Sequence, residues 1–285
     1  RLLAASSPTG PAFEGAQISS GQRAAPGAIE RVRIDPETLE PRFSVIGDER
    51  WSNEEGFDAE PTGICGSGII EVLAEMYLSG LLTTDGVIDG AMAEKTPRII
   101  KQDRTFAYVL HDGEHQITVT QNDIRQIQLA KGALYAGARL LMDHMGIDTL
   151  DRITLAGAFG SHIDTKYAMI LGMIPDCPLD KVSSAGNAAG TGARIALLNG
   201  KMRKELEHQV REIEKIETAI EPKFQDHFID AMAIPHKTAA YPNLTKEVTL
   251  PEPKFAKQDE DSGGAGGRRR RRREGRSAPT EEAAE

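Results

Sequence analysis

Residues 153–161 contain the residue types that most directly suggest ligand chemistry. A short aliphatic and β-branched run leads into the glycine-bracketed turn Gly157-Ala158-Phe159-Gly160-Ser161. The run is typical of a buried parallel strand, and Gly157 and Gly160 let the backbone approach a ligand closely because they lack a Cβ atom. Asp164 follows at a position suited to cap a helix. The stretch therefore predicts a strand, a tight turn and a helix, which is the shape of a nucleotide site.

A second stretch further along the chain repeats this order. Residues 181–186 are a short strand candidate, and the small-residue run 187–192 opens a helix. Asn187 is suited to cap that helix, because Asn side chains accept hydrogen bonds from the first free N–H groups. Open α/β sheets bind ligands at the C-terminal ends of their strands, so a nucleotide contact by Asn187 is one interpretation. The other is that the small residues form a hinge or a packing surface.

A third glycine-rich turn, residues 63–68, precedes apolar residues that recur with helical spacing as far as Tyr77. Free N–H groups at a helix N-terminus carry partial positive charge and can hold phosphate. The turn lacks the lysine of a Walker motif and the spacing of a dinucleotide fingerprint. Gly66, Ser67 and Gly68 are therefore either phosphate contacts or a plain packing turn.

A long helix is predicted to begin after Thr120, where Asp123 completes a variant of the capping box. Small residues between positions 130 and 138 would let another element pack very close to this helix. Lys131 lies among them. It is either an exposed lysine whose aliphatic stem covers apolar surface, or a contact to nucleotide ribose or phosphate.

The chain that carries these turns has 285 residues, a length that fits one large domain or two smaller ones. It is acidic, with a formal net charge of −9. Short strand candidates within residues 17–60 predict a small antiparallel sheet, and others follow within residues 83–119, where Asp112-Gly113 predicts a hairpin. Residues 228–234 read as a last buried strand. Cys65 and Cys177 are the only cysteines, which favours a reducing, cytoplasmic location, and no apolar run approaches the ~18 residues that a membrane span needs.

The two ends of the sequence differ from its body. Residues 1–5 read as a strand already under way, so we expect a fragment whose sheet has an open edge or an unfilled slot. Residues 251–285 are charged and glycine-rich, and we predict that they are disordered. The block Arg268-Arg273 is either a nucleic-acid or other polyanion contact or a solvated tail. The tail is favoured because no aromatic residue interleaves the arginines and the body is acidic.

Five ordered motifs together resemble the C-terminal ATPase portion of the reductive activators of corrinoid proteins. They are residues 10–15, 23–29, 63–68, 128–133 and 155–160. The resemblance covers residues 1–240 and implies an α/β fold of the actin-like (ribonuclease H-like) ASKHA superfamily. It implies that residues 1–15 and 122–250 form the ATPase lobe and that residues 16–121 form an inserted small antiparallel β subdomain.

The same resemblance implies a function. Family members return the cobalt of a corrinoid protein from Co(II) to Co(I), using ATP with Mg²⁺ and an electron from a 2Fe-2S cluster. The cluster domain and a DxGTN-type phosphate turn precede the segment that corresponds to Arg1, so we expect this chain to supply part of the ATP-binding lobe and to be inactive alone. The expected partner is a corrinoid protein or a corrinoid-dependent methyltransferase, and a homodimer is also considered.

Individual residues receive roles from the resemblance. The turn from Gly157 through Ala158, Phe159, Gly160 and Ser161 would cradle the adenosine, and Gly66–Gly68 would lie near phosphate or the lobe interface. Gln128 and Lys131 would reach the adenine or ribose side. Glu14 would orient magnesium or water. Two alternatives stay open: an ATPase that activates another low-potential enzyme, such as an acyl-CoA dehydratase, and a non-enzymatic interaction lobe with a polyanion-binding tail.

Overall fold

The computed structural model describes residues 1–256, in which ten short strands and eight α-helices alternate. The strands are β1 Leu3–Ala5, β2 Ala28–Ile34, β3 Pro41–Val45, β4 Gly63–Ile64, β5 Ile99–Gln102, β6 Thr105–His111, β7 Ile117–Thr120, β8 Ile153–Ala156, β9 Val182–Gly186 and β10 Glu214–Ile216. The α-helices are α1 Gly66–Leu78, α2 Gln121–Met145, α3 Ala158–His162, α4 Thr165–Ile170, α5 Ala188–Leu198, α6 Gly200–Glu212, α7 Phe224–Asp230 and α8 Leu244–Glu247.

Three strand pairings in the described residues are parallel, and two of them form separate two-stranded sheets. Strand β8 pairs with β9, which confirms the two predicted strand–turn–helix units and places both turns at one edge of the sheet. Strand β1, predicted at residues 1–5, pairs with β10. Each of these sheets has two strands in the described part of the chain.

The antiparallel pairings lie between β1 and α2 in the sequence. Strands β2 and β3 form the antiparallel pair predicted within residues 17–60, and β4 adds a parallel partner to β2. Strands β6 and β7 form the hairpin predicted around Asp112-Gly113, with β5 on the other side of β6. The assignment of residues 16–121 to a separate inserted subdomain stays a prediction.

Helices α1 and α2 follow the sequence pattern closely. Helix α1 is buried along nearly its whole length, since its apolar residues face both β2 and α4. Helix α2 begins with the predicted capping box, in which Thr120 and Asp123 bond to each other's backbone N–H groups, and it ends at Gly146 in the left-handed conformation. The close approach predicted for its small residues is made by α7, because a Cβ atom at Gly132 would lie 3.2 Å from the carbonyl oxygen of Phe228.

The segment after α8 contacts residues 84 and 89 through Lys254. The Lys254 backbone exchanges hydrogen bonds with Thr84, and its ammonium group donates to Asp89. Residues 257–285, which carry most of the predicted disordered tail and the block Arg268-Arg273, lie outside the described residues. Among residues 1–256, no helix is both long and apolar enough to cross a membrane.

Candidate functional site

The turn after β8 has the backbone geometry that its glycine implied. Gly157 has φ of 102° and ψ of 168°, a conformation essentially restricted to glycine. Its N–H group donates to the carbonyl oxygen of Gly186 over 2.8 Å, and the Ser161 hydroxyl donates to the Gly157 carbonyl. Ala158 and Ser161 are exposed, and Gly160 is buried. The turn therefore presents a rigid backbone to solvent at the C-terminal end of β8.

The turn after β9 lies beside it. Asn187 caps α5 by accepting a hydrogen bond from the N–H group of Gly190 over 2.8 Å, as the sequence predicted. Asp164 caps α4 in the same way through the N–H group of Lys166. The Gly157–Gly186 bond links the two turns directly, so Asn187 and the Gly157–Ser161 turn belong to one edge of the β8–β9 sheet.

The N-terminus of α1 meets this edge from another part of the chain. A Cβ atom at Gly66 would lie 2.1 Å from the Phe13 carbonyl oxygen and 2.7 Å from the Phe159 ring. The Phe13 and Phe159 rings stack with their centroids 5.7 Å apart. Gly66, Ser67 and Gly68 are buried, so their backbone serves close packing here, and contact with phosphate stays a prediction. Phe13 is the residue that sequence reasoning missed, although it lies within a motif that had been singled out.

Glu14 follows Phe13 in the 3₁₀ segment Ala12–Glu14. Phe13 is buried against α1 and α3, whereas Glu14 is exposed. The Glu14 carboxylate makes no hydrogen bond or ion pair within the described residues. It is therefore available to a ligand near the glycine turns.

Gln128 and Lys131 lie elsewhere on α2, and other parts of the chain occupy their polar atoms. The amide nitrogen of Gln128 donates to the carbonyl oxygens of Asp85 and Met232. The ammonium group of Lys131 donates to three carbonyl oxygens, those of Ala231 at 2.6 Å, Ala233 at 2.5 Å and Pro235 at 3.0 Å. The exposed-lysine interpretation is therefore wrong, since Lys131 is 1% exposed. No contact joins these two side chains to the glycine turns in the described part of the chain, and a nucleotide contact by either stays a prediction.

The segment that holds Lys131 was predicted as a strand over residues 228–234. The structure instead ends α7 at Asp230 and continues as an irregular segment through a cis peptide bond between Ile234 and Pro235. Because this segment does not pair in a sheet, its carbonyl oxygens are free to converge on one ammonium group. The predicted strand is therefore wrong.

Burial of Lys131 predicts an unusual pH dependence. It lowers the pKa of Lys131 to about 7 in the folded protein, whereas lysine in an unfolded chain titrates near ~10.4. Between pH 7 and the unfolded-state pKa, Lys131 is protonated in the unfolded chain and largely neutral in the folded protein. Raising the pH therefore increases the free energy of unfolding by up to about 1.4 kcal/mol per pH unit. We expect the unfolding free energy of the wild type, minus that of a Lys131→Met variant, to rise from about pH 7 to pH 10. Urea unfolding across this range measures it, and parallel curves for the two proteins would contradict it.

A second buried charged cluster joins α1 to β2 and α4. Glu71 accepts from Arg31 at 2.7 Å, from Arg33 at 2.5 Å and from the Val32 N–H group at 3.0 Å. Glu75, one turn later, accepts from the N–H group of Ile34 and from the Tyr167 hydroxyl. Both carboxylates are nearly inaccessible to solvent.

Aromatic rings cover this cluster. The guanidinium carbon of Arg33 lies 4.9 Å from the Tyr167 ring centroid and 5.6 Å from that of Trp51. Burial, followed by the hydrogen bond to Glu75, raises the pKa of Tyr167. Two acidic residues four positions apart on an otherwise apolar helix were the available sequence signal. The cluster fixes α1, which begins at Gly66, against α4, which follows α3 and the Gly157–Ser161 turn.

Comparisons with known proteins identify the family and the fold of the chain. A family model described as the C-terminal domain of RACo, the ASKHA domain, matches residues 1–245. The corrinoid activation enzyme RamQ of Eubacterium limosum is 34% identical over 241 residues, which are 80% of this chain and 39% of RamQ. A Co(II) methylated amine-specific corrinoid protein reductase of Methanosarcina barkeri is 29% identical over 210 residues, which are 70% of this chain and 35% of that protein.

A solved structure gives the same result. The reductive activator for corrinoid, iron-sulfur protein superposes with a TM-score of 0.71 and 33% sequence identity, over 82% of this chain and 36% of that one. The chain thus spans less than two fifths of the length of each of these relatives. Because the family model covers residues 1–245 and the superposition extends over most of the chain, this protein belongs to the family of the C-terminal ASKHA domain of RACo and has its actin-like α/β fold.

Proposed function

We propose that this chain forms part of the ATP-binding lobe of a protein that reactivates a corrinoid protein by returning its cobalt from Co(II) to Co(I). The relatives named above are a corrinoid activation enzyme, a corrinoid protein reductase and a reductive activator. Nucleotide binding is proposed for this chain, and the redox activity for the whole protein. The observation that carries the proposal is the Phe13–Phe159 stack over Gly66, because it brings three separate sequence motifs to one end of the β8–β9 sheet.

Different residues at this edge of the β8–β9 sheet would contact different parts of ATP. The exposed turn from Gly157 to Ser161 would cradle the adenosine through its backbone, since no Cβ atom covers Gly157. Asn187 and the start of α5 lie beside it and would fix the neighbouring wall. Gly66–Gly68 would contact phosphate only if the Phe13–Phe159 stack opened, which would couple nucleotide binding to movement of α1 and α3.

The two remaining cofactors fit this chain differently. Mg²⁺ is usually held by one or two carboxylates together with substrate phosphates and water. The free Glu14 carboxylate suits that role, or the orientation of a water molecule. A 2Fe-2S cluster needs four protein ligands, which are thiolates in most cases. Cys65 and Cys177 are the only cysteines in the sequence and both are buried, so we assign the cluster to a part of the protein outside these residues.

Calorimetric titration with ATP and Mg²⁺ tests the nucleotide site. In a Gly157→Ala variant the new Cβ atom meets open space, but the backbone conformation costs about 1–3 kcal/mol and the turn must shift. We expect ATP affinity to fall at least about tenfold, which corresponds to ~1.4 kcal/mol. Gly200→Ala is the matched control, since Gly200 also faces open space and has an ordinary backbone conformation. Equal ATP affinity of the Gly157→Ala variant and the wild type would show that the Gly157–Ser161 turn does not contribute to ATP binding.

The redox assignment needs a separate experiment on the whole protein. Extracts that lack it should fail to return a Co(II) corrinoid protein to Co(I), and adding the protein back with ATP should restore the reduction. Normal corrinoid reduction without the protein, together with ATP binding, would favour an activator of another low-potential enzyme. Absence of ATP binding by the whole protein would exclude both ATPase functions.

A further inference from the structure

A cavity beside α2 combines positive charge with apolar surface. It has a volume of about 430 Å³ and is lined by residues of three segments: the loop 85–88, the hairpin turn 104–106, and residues 121, 125 and 128 of α2. Ligand pockets in proteins commonly measure ~300–1,000 Å³. None of the glycine turns of the candidate nucleotide site lines it.

The wall of the cavity is held in place by two glutamines. Gln121 accepts from the N–H group of Ile88 over 2.9 Å and donates to the Gly86 carbonyl oxygen over 2.7 Å. Gln128 donates to the Asp85 carbonyl oxygen. Gly86 has φ of 78°, and a Cβ atom there would overlap the Gln128 amide at 2.3 Å. The side chains of Gln121 and Gln128 therefore hold the loop 85–88 against α2, so the concave surface exists without a ligand.

Two arginines from different segments of the lining have no partner of their own within residues 1–256. Arg104 lies in the turn between β5 and β6, and Arg125 lies on α2 one turn after Gln121. Both are exposed, and neither makes an ion pair or side-chain hydrogen bond within residues 1–256. By contrast, Arg98 in the same sheet is paired with Glu40. The lining also contains the Asp85 carboxylate, which accepts a hydrogen bond from the Thr83 hydroxyl, so the two guanidinium groups leave an excess of positive charge beside the cavity in a chain with a net charge of −9.

Apolar residues line the cavity together with the arginines. Phe106 and Ile88 line the cavity, and Val87 is 36% exposed there. Guanidinium groups bind carboxylate oxygens in a planar, often bidentate manner, and an apolar floor favours a ligand with a hydrocarbon body. A single phosphate ion would leave the floor uncovered, and a neutral apolar molecule would leave the arginines without a partner.

We propose that this cavity binds a small organic anion with an apolar body, whose carboxylate lies between Arg104 and Arg125 and whose hydrocarbon part covers Phe106 and Val87. The site is separate from the nucleotide site, and the inference does not depend on the proposed function. It also gives Gln128 a role that differs from the predicted adenine contact: Gln128 builds the wall of this cavity.

A matched pair of probes tests the proposal on the whole chain. The probes are 1-naphthoate and 1-naphthalenemethanol, which share the ring system and differ in the carboxylate. Methyl-resolved NMR titration should show saturable shifts of the Val87 and Ile88 methyl groups with 1-naphthoate. The alcohol should bind about tenfold more weakly, because it lacks the charge-assisted hydrogen bonds.

Three variants separate the site from unspecific adsorption. Arg104→Gln and Arg125→Gln should each weaken 1-naphthoate about tenfold and leave the alcohol unchanged. Arg211→Gln, which removes an exposed arginine on α6 that makes no ion pair within residues 1–256, should change neither. Equal binding of acid and alcohol, or unchanged binding of 1-naphthoate in both cavity variants, would overturn the proposal. Displacement of 1-naphthoate by ATP would assign the cavity to the nucleotide site and would also overturn it. If ATP did not bind but 1-naphthoate bound as expected, the cavity proposal would be supported and the proposed function would be contradicted.

Discussion

Replacing Lys131 by methionine is expected to lower the free energy of unfolding at neutral pH by about 3 kcal/mol. Methionine fills much of the same volume but donates no hydrogen bond, so the carbonyl oxygens of Ala231, Ala233 and Pro235 lose their shared donor. Each hydrogen bond to a charged group contributes ~1.5–3 kcal/mol. Desolvation lowers the pKa of Lys131 to about 7, so a neutral amine, which still donates hydrogen bonds, shares the site with the charged form at neutral pH. The expected loss therefore comes mainly from the buried carbonyl oxygens left without a donor, at about 1–3 kcal/mol for each unsatisfied group. Urea unfolding followed by circular dichroism measures the change.

A local readout distinguishes this effect from general destabilisation. Hydrogen exchange should speed up most in residues 231–235, because these carbonyl oxygens fix the segment against α2. Lys201→Met is the matched control, since Lys201 is exposed at the start of α6 and its side chain makes no ion pair in the described part of the chain. It should alter stability by less than about 0.5 kcal/mol. A loss below about 1 kcal/mol for Lys131→Met would mean that water or other donors satisfy the three carbonyl oxygens.

The sequence predicted best those features that depend on residues a few positions apart. The capping roles of Asp164 and Asn187 and the Thr120–Asp123 capping box each require a side chain and an N–H group two or three residues away. The parallel pairing of β8 with β9 also followed from local patterns, because two successive strand–turn–helix units can place both turns at one sheet edge. These features outline the β8–β9 half of the candidate site.

The burial and the hydrogen bonds of Lys131 could not be predicted from local patterns. Its three acceptors come from residues about 100 positions further along the chain, and they converge only because residues 231–235 do not form a strand. An apolar run without a clear period cannot distinguish a strand from a helix end followed by a loop. The small-residue surface of α2 was nevertheless informative, because it correctly indicated that another element, α7, would approach closely at Gly132.

The Phe13–Phe159 contact shows the same limit within the site. Each phenylalanine lies in a motif that the sequence marked as important, but nothing local indicates that the two rings stack over Gly66. Close packing of this kind depends on the absence of a side chain at a third, distant position. Sequence patterns therefore located the parts of the candidate site, and only the fold shows that the α1 turn is covered rather than open.

The buried carboxylate of Glu71 carries the second large expected effect. In a Glu71→Gln variant, the Val32 N–H group keeps an acceptor, but Arg31 and Arg33 lose the negative charge that they share. Breaking a buried ion pair from one side costs about 3–5 kcal/mol. The two arginine side chains are 38% and 31% exposed, so solvent recovers part of that cost. We therefore expect a loss of about 2–3 kcal/mol in urea unfolding.

Trp51 provides a specific readout of the same change. It is the only tryptophan in the sequence, and the Arg33 guanidinium lies over its ring. When Glu71 no longer anchors Arg33, the fluorescence emission of folded Trp51 should change. Glu40→Gln is the matched control, because Glu40 forms an ion pair with Arg98 at the surface, where such pairs contribute ~0–1 kcal/mol. If Glu71→Gln destabilised the protein no more than Glu40→Gln and left the emission unchanged, the cluster would not fix β2 and α4 against α1. The packing of α4 against α1 would then depend on their apolar contacts alone.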